Sequence, residues 1–366
     1  MQASRQAVMV EGRRTPFCKA GTDLSELDVL ELGRSAVVET LAQAGLSGVE
    51  IDQVVMGNVA RPLKYHNIAR EIGLAAGLPR TVPAFTVSLA CCSSLLAATS
   101  AVDSIERGYA QTVVAGGVES LSNVPIQYSD RLARGLVGAS KARSLGGKLE
   151  SFAKVRLSDL APVAPGIRET STGLTMGESA EIMAKENGVS RRAQDELAVA
   201  SHEKAVEAQT GCRLGEEVAP VYRRDGRAIT ADNHIRRDTT MDKIAALPAV
   251  FDQRHGTITA GNSSPLTDGA SAVVLMAREK AEALGYLPLA QIRSYAQAAV
   301  DPSDQLLMAP AFAIPLALTR ARLDLADVEL FEMHEAFAAQ VLSTIQALAS
   351  SEFAREKLGR TRAVGE

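Results

Sequence analysis

Short apolar runs alternate with amphipathic stretches through the first third of the chain. The runs at residues 6–10, 53–56 and 84–87 predict strands. Residues 27–44 carry apolar side chains at helical spacing, and Gly45 is a plausible stop for that helix. Alternation of strand and helix favours a mostly parallel sheet covered by helices, so the predicted fold class is α/β.

The stretch 84–117 has the pattern of a strand, a reactive side chain, a tight turn and a helix. Cys91 and Cys92 follow the apolar run and lead into a helix of small residues that Gly108 closes. A helix start offers unpaired N–H groups and the positive end of the helix dipole, which would stabilise a nucleophilic thiolate. Cysteine is also among the most buried residue types and often only fills space. These residues alone leave the two interpretations equally open.

The pattern of apolar and polar residues changes after residue 120. Residues 121–254 are polar and helical in pattern, with Ser190 a good N-cap, and they predict an inserted, mainly helical loop domain. Residues 130–156 are rich in basic side chains and predict an amphipathic helix, which is either a surface for phosphates or anionic lipid or an ordinary solvated face. The basic residues are Arg131, Arg134, Lys141, Arg143, Lys148, Lys154 and Arg156.

Length and composition limit the possible classes of protein. With 366 residues, the chain is long enough for two domains, and residues 255–280 predict a strand that returns to the first half, residues 1–120. The net charge of −4 gives no argument for a nucleic-acid partner. The four cysteines have no C-x-x-C pairing, which favours a reducing cytoplasm, and the histidines have no metal-ligand spacing, so no metal is expected. No apolar run has the length of a membrane span.

An internal repeat relates residues 44–59 to residues 321–336, which lie 277 positions further along. Each run has an Ala at the end of a helix, a turn and a predicted strand, so two related halves are expected, the second at 281–366. The counterpart of Cys91 would fall just past Glu366. We therefore expect the second half to lack its nucleophile helix and last strands, so that the sequence is incomplete relative to the working protein or has lost its function.

Seven short motifs together resemble those of the thiolase family, in the family's order along the chain. The motif HEAF and the long basic segment make the chain most similar to the long-chain branch, which includes the β subunits of trifunctional fatty-acid oxidation complexes and their bacterial relatives. The motifs are RTPF (14–17), GNV (57–59), VSLACCSS (87–94), VVAGGVESLSNVP (113–125), TMGESAE (175–181), TAGNSSPLTDGAS (259–271) and HEAF (334–337).

This resemblance implies a fold and a reaction. The fold would have two related βαβ halves in an αβαβα layered arrangement, with the loop domain inserted and the second half incomplete. The reaction would be thiolysis of 3-ketoacyl-CoA by CoA, giving acetyl-CoA and a shortened acyl-CoA through an acyl-cysteine. Coenzyme A would be a substrate, and no cofactor is implied. The alternatives are a biosynthetic acetoacetyl-CoA thiolase and a non-catalytic thiolase-like subunit of an oxidation complex.

The resemblance also implies partners and roles for single residues. The partners would be acyl-CoA and CoA, a second copy of the chain or a higher homo-oligomer, a hydratase/dehydrogenase subunit, and a membrane surface touched peripherally. Gly116 and Gly117 would allow close packing. Cys92 stands where the family usually has a small or apolar residue. The matching site residues are Cys91 as nucleophile, His334 as the polar group near the thioester oxygen, and Met176, Gly177 and Ser264 as contacts to the substrate or CoA.

The sequence departs from the family pattern in two motifs. Thiolases carry a Gly-His-Pro motif that activates the nucleophile and a Cys-x-Gly motif that supplies an acid/base, and neither occurs in the 366 residues. Cys212 follows a predicted helix in a polar context and does not replace the second cysteine. We therefore expect Cys91 to accept an acyl group slowly, without completing thiolysis in this chain alone.

Overall fold

The computed structural model describes residues 5–161 and 168–365. Its main sheet has seven strands, and two more form a small hairpin. The strands are β1 (Ala7–Arg14), β2 (Cys18–Lys19), β3 (Gln53–Gly57), β4 (Ala84–Val87), β5 (Thr112–Ser120), β6 (Val221–Tyr222), β7 (Ala228–Ile229), β8 (Thr267–Ala277) and β9 (Ala290–Gln291). The helices are α1 (Val29–Ala44), α2 (Ile68–Ala75), α3 (Ser93–Glu106), α4 (Asp130–Lys141), α5 (Leu145–Glu150), α6 (Met176–Glu186), α7 (Arg191–Thr210), α8 (Met241–Ala245), α9 (Arg278–Ala283), α10 (Ala309–Ala321), α11 (Ala338–Ala349) and α12 (Ser351–Glu356).

The order and directions of the strands bring the ends of several strands to one edge of the main sheet. The order is β4-β3-β5-β8-β1-β9, with β2 also paired to β8. Strands β3, β4 and β5 run parallel, whereas β8 runs antiparallel to β5 and pairs its Asp268 with Ser120. The carboxyl ends of the three parallel strands therefore lie at the edge where β8 begins.

Helices cover both faces of the main sheet, as the α/β prediction requires. Val54 and Met56 of β3 pack with Leu32 of α1 on one face, while Val55 packs with Ala97 of α3 on the other. A strand buried on both faces has no polar side, and this explains the continuous apolar runs in the sequence. The predicted α/β class is confirmed, but the predicted mostly parallel sheet is wrong. Among the described strands of the main sheet, β3 pairs in parallel with β4 and β5, whereas β8 pairs antiparallel with β1, β2 and β5, and β9 pairs antiparallel with β1.

Glycines let helix α3 and strand β8 approach their neighbours closely. A Cβ at Gly57 would lie 2.5 Å from the carbonyl carbon of Ser93, and one at Gly117 would lie 2.8 Å from the Cβ of Ser94. A Cβ at Gly116 would lie 2.0 Å from the carbonyl oxygen of Ser271 in β8. The predicted packing role of Gly116 and Gly117 is confirmed. Gly57 has the same role at the start of α3.

The loop region after β5 is mainly helical, with the small hairpin β6–β7 as its only paired strands among the described residues. The basic segment forms α4 and α5, and Ser190 caps α7 by accepting a hydrogen bond from the N–H of Ala193 at 3.2 Å. Ala180 of α6 packs with Ala339 of α11, so this region contacts the last part of the chain. None of the described helices combines the length and the apolar character needed to cross a membrane.

The internal repeat is visible in the backbone through the helix end and the 3-10 helix that follows it, but not in the strand. Helices α1 and α10 end 277 residues apart, and the next residues, Gly45 and Arg322, are both left-handed, with φ of 65° and 57°. Short 3-10 helices follow at Gly48–Glu50 and Leu325–Asp327, again at the same spacing.

The prediction of a strand near the end of the second repeat is wrong. Residues 330–334, the counterparts of β3, form no strand, and Leu330 is 81% exposed. Strand β3 is held by hydrogen bonds to β4 and β5, whereas no described strand lies beside residues 330–334. A strand requires a neighbour for its N–H and C=O groups, so the same local pattern gives extended, unpaired chain here.

Candidate active site

Cys91 lies in the turn between β4 and α3, at the carboxyl edge of the parallel strands. The preceding residue, Ala90, has a φ of 44°, in the left-handed region. The hydroxyl of Ser93 holds this turn, because it accepts a hydrogen bond from the N–H of Leu89 at 2.8 Å and donates one to the carbonyl of Ala90 at 2.6 Å. The turn leaves both Cys91 and Cys92 exposed as free thiols.

The electrostatic environment of Cys91 differs from the expected one. Desolvation raises the pKa of the Cys91 thiol, and the negative charges of Cys92 and Glu119 add to that rise. Cys92 is the N-cap and Ser93 the first residue of α3, so Cys91 lies directly before the helix. That the helix start stabilises the thiolate of Cys91 stays a prediction. The charged groups that act on its sulfur are negative.

The ends of β3 and β5 place two further polar side chains near this turn. Glu119 accepts hydrogen bonds from the N–H groups of Val59 and of Ala60, the latter at 3.2 Å, and burial raises the pKa of its carboxyl. Asn58 donates to the carbonyl of Val118 at 2.9 Å, and its buried Oδ1 has no partner among the described residues. Neither residue is among the predicted site residues, although polar residues directly after buried parallel strands often line a binding site.

Ser264 and His334 are brought together by a short antiparallel pairing of two loops. The N–H of Ser264 donates to the carbonyl of Ala336 at 2.9 Å, and the N–H of Ala338 donates to the carbonyl of Asn262 at 3.0 Å. Both Ser264 and His334 are exposed. The motifs TAGNSSPLTDGAS and HEAF, which lie far apart in sequence, therefore form one surface.

Buried polar groups fix the loop that carries Ser264. The Oδ1 of Asn262 accepts a hydrogen bond from the N–H of Thr259 at 2.7 Å, and its Nδ2 donates to Asp195 at 2.9 Å. Asp195 also pairs with Arg191 at 2.7 Å. The buried carboxylate of Glu181 accepts hydrogen bonds from backbone N–H groups just before this loop. Asn262, Asp195 and Glu181 thus all have partners, and these bonds rigidify the loop.

Met176 and Gly177 join this surface through an aromatic pair. Both residues are in the first turn of α6, where Met176 is half-buried and Gly177 is buried. A Cβ at Gly177 would lie 1.8 Å from the Cζ of Phe251, so the ring rests on the glycine. Phe251 in turn meets Phe337 of HEAF edge to face, with ring centroids 6.3 Å apart. The start of α6 is therefore packed against the HEAF loop.

The predicted site residues thus form two groups. His334, Ser264, Met176 and Gly177 belong to one packed surface, whereas Cys91 lies in its own turn. Across residues 5–161 and 168–365, no hydrogen bond or ion pair links Cys91 to that surface. Both groups are nevertheless at the same edge of the sheet, because the loop of Ser264 leads directly into the start of β8. Cys212 lies elsewhere, in an exposed turn after α7.

A cavity of about 470 Å³ opens beside α7. His202, Arg236 and Arg237 are among its lining residues, and the N–H of Arg236 donates to the Nδ1 of His202 at 3.3 Å. Burial lowers the pKa of His202, and the charge of Arg236 lowers it further. The neighbouring Ser201 donates to Glu335 of HEAF at 2.6 Å. Glu203 and Glu207 line the same cavity, so its two guanidinium groups face two carboxylates. Through Ser201 and Glu335, the cavity is connected to the surface that carries His334.

Comparisons with known proteins agree over nearly the whole chain. The family described as "Thiolase, N-terminal domain" matches residues 7–279, and "Thiolase, C-terminal domain" matches residues 286–364. The second family domain, expected from sequence to be incomplete, is thus recognised in the chain. Over 360 residues, the chain is 48% identical to the 3-ketoacyl-CoA thiolase of Yersinia pestis (strain Pestoides F), covering 98% of this chain and 83% of the relative. The same values hold for that of Yersinia pseudotuberculosis serotype O:3 (strain YPIII).

Solved structures give the same picture. The acetyl-CoA acetyltransferase of Bacillus anthracis superposes with a TM-score of 0.82 at 31% identity, covering 100% of this chain and 88% of that one. Human mitochondrial 3-ketoacyl-CoA thiolase in complex with CoA superposes with a TM-score of 0.80 at 29% identity, covering 94% and 82%.

Proposed function

Because this chain belongs to the thiolase family, we propose that Cys91 is the acyl-accepting nucleophile of its reaction. The protein is an acyltransferase of fatty-acid β-oxidation that cleaves 3-ketoacyl-CoA with CoA, giving acetyl-CoA and a shortened acyl-CoA. The observation that carries the assignment is the exposed thiol of Cys91 in the turn before α3, at the sheet edge shared with the HEAF loop.

The chemistry gives Cys91 and His334 different tasks. The thiolate of Cys91 attacks the ketone carbon, a carbon–carbon bond breaks, and the enolate of acetyl-CoA leaves. That enolate leaves only when fixed donors stabilise its oxygen. The exposed imidazole of His334, on a loop held by the pairing with residues 262–264, is suited to donate to such an oxygen. The CoA thiol then loses its proton to a base, its sulfur takes the acyl group, and the thiolate of Cys91 leaves. The enolate carbon of acetyl-CoA gains a proton from an acid.

We further propose that acyl-CoA lies along the surface formed by Met176, Gly177 and Ser264. The packed aromatic pair beneath Gly177 gives that surface an apolar floor. Coenzyme A is strongly anionic, and guanidinium groups bind phosphates through several N–H donors. Arg236 and Arg237 are exposed at the 470 Å³ cavity, which Glu203 and Glu207 also line, so the two guanidinium groups rather than the cavity as a whole support a contact with the phosphates of CoA.

Alkylation with and without substrate tests the assignment of Cys91. Iodoacetamide should label Cys91 in preference to Cys212, and an acyl-CoA should protect Cys91 from it. The variant Arg236→Ala should need a higher acyl-CoA concentration for the same protection. Peptide mapping by mass spectrometry gives the label at each cysteine. Labelling confined to Cys18 or Cys212, or no protection of Cys91 by acyl-CoA, would contradict the proposal.

We propose a homo-oligomer, supported by the edge strand β4. Strand β4 pairs only with β3 within the described chain, and Phe85 on it is 37% exposed. Unpaired N–H and C=O groups on an edge are a template for a strand of a second copy. Phe85→Lys should therefore lower the mass measured by light scattering, whereas an unchanged mass would argue against pairing at this edge. A hydratase/dehydrogenase subunit remains a prediction from the family resemblance.

Peripheral contact with an anionic membrane is also proposed, for helices α4 and α5. Leu145 and Leu149 of α5 are 78% and 70% exposed, on the segment 130–156 with its seven basic residues. Exposed leucines beside lysine and arginine suit the headgroup region of a bilayer. Sedimentation with anionic vesicles should weaken in Leu145→Glu/Leu149→Glu, and a parent chain that sediments with neither anionic nor neutral vesicles would favour a plain solvated face. A cytoplasmic location is proposed as well, supported by four free cysteines.

A further inference from the structure

Two adjacent thiols are exposed at the same turn. Cys91 and Cys92 are both free and exposed, and neither sulfur makes a hydrogen bond in the described part of the chain. Only Cys91 has a place in the proposed reaction, so the second thiol is unexplained. We propose that Cys91 and Cys92 together form a chelating site for trivalent, thiol-binding metalloids of the arsenite and organoarsenical class.

The backbone geometry favours a bridging atom over a direct disulfide. Neighbouring Cα atoms joined by a trans peptide are about 3.8 Å apart. Disulfides usually need Cα atoms about 4.4–6.8 Å apart, so an S–S bond between Cys91 and Cys92 would be strained. An arsenic atom bonded to both sulfurs makes the closed ring one atom larger than a disulfide would, and the larger ring is less strained. The backbone of Cys92, with φ of −93° and ψ of 12°, is held by its N–H bond to the carbonyl of Leu89 at 3.0 Å.

The number of ligands at the turn also points to a metalloid. Among the described residues, no group of three or more His, Cys, Asp or Glu side chains is placed to hold a metal ion. A zinc ion at a structural site takes four protein ligands, which this turn does not offer. A trivalent arsenic atom needs only two thiolates, since its third position is filled by an oxygen or by the organic group that it carries.

The binding step conserves atoms and electrons. With an arsenoxide, two arsenic–sulfur bonds form and the arsenic–oxygen bond breaks, and both thiol protons leave with the oxygen as one water. Arsenic remains trivalent and both sulfurs remain at the thiol oxidation level, so no oxidant or reductant is needed. The occupied site would cover the sulfur of Cys91 until a competing dithiol removed the arsenic.

Phenylarsine oxide, added to the full 366-residue chain, tests the site by intact-mass spectrometry. One phenylarsenic group should bind, Cys91 should become resistant to iodoacetamide, and a dithiol but not a monothiol should reverse both effects. Cys92→Ser should bind the group about 10²-fold more weakly, because the second bond is no longer intramolecular. Serine is a favoured N-cap, so this variant is expected to fold. Cys212→Ser is the matched control and should bind as the parent chain does.

The outcome does not depend on the proposed enzymatic role of Cys91, since mass and reversal are measured without substrate. Equal affinity in the parent chain and in Cys92→Ser would overturn the chelate, and so would reversal by a monothiol at the same concentration. Loss of binding in Cys212→Ser would move the site away from the turn. If Cys91 chelates arsenic but never accepts an acyl group, the proposed function fails and this inference stands.

Discussion

Gly57→Ala should displace the helix that follows Cys91. The added Cβ would lie 2.5 Å from the carbonyl carbon of Ser93 and 2.7 Å from the nitrogen of Ser94. Both are backbone atoms in the first turn of α3, so no side-chain rotation relieves the overlap. Ordinary contact begins near 3.4 Å, which means that the helix start and the strand must separate by about 1 Å. Overpacking of this kind costs about 1–3 kcal/mol of folding free energy.

Urea unfolding and the rate of acyl transfer to Cys91 measure the two consequences of this change. A displacement of about 1 Å at a reacting group can lower a rate by as much as about 10²-fold. Gly73→Ala is the matched control, because its Cβ would meet only Leu78 and Val54 at 3.6 Å, in ordinary contact. Alanine is favoured over glycine inside a helix, so this control should gain about 0.5–1 kcal/mol. If Gly57→Ala kept the parent stability and acylation rate, the close packing would not position Cys91.

Three further changes test the site. The alkylation rate of Cys91 should rise with pH along a curve whose midpoint lies above that of an ordinary thiol, because desolvation raises the pKa of Cys91. Glu119→Gln should lower this midpoint, and a midpoint below the ordinary value in the parent chain would contradict the expectation. Asn262→Ala should cost about 1–3 kcal/mol in urea unfolding, because the N–H of Thr259 loses its buried acceptor, and no loss would show that water replaces the amide. Gly177→Ala should push Phe251 away and raise the acyl-CoA concentration that protects Cys91, whereas unchanged protection would separate α6 from the substrate.

Local features of this fold follow well from the sequence. Gly45 was predicted to end helix α1, and it does so in the left-handed conformation that glycine adopts at low cost. The repeat predicted the matching end of α10, although there the left-handed residue is Arg322. The apolar runs predict strands β3 and β4 nearly to the residue. Strand β3 is buried on both sheet faces, which explains its continuous apolar run, whereas β4 is a partly exposed edge strand.

Features that depend on distant neighbours do not follow from local pattern. Residues 330–334 carry a strand pattern, yet a strand forms only beside another strand, and the described chain offers none there. The pKa of Cys91 is raised mainly by desolvation in the folded chain, with added charge effects from Cys92 and from Glu119, which strand β5 brings to the turn. The contact of Gly177 with Phe251, and of Phe251 with Phe337, joins three segments that no periodicity relates. The motifs TMGESAE and HEAF mark two of these segments, whereas no motif covers Phe251.

The most direct test of the account is the location of the acyl group after a single turnover. The chain is mixed with a 3-ketoacyl-CoA, quenched in acid and digested, and the thioester is located by peptide mass spectrometry. The account predicts an acyl group on Cys91, absent in Cys91→Ser and retained in Cys92→Ser. An acyl group on Cys92 or Cys212, or one that persists in Cys91→Ser, would contradict the claim that Cys91 is the nucleophile.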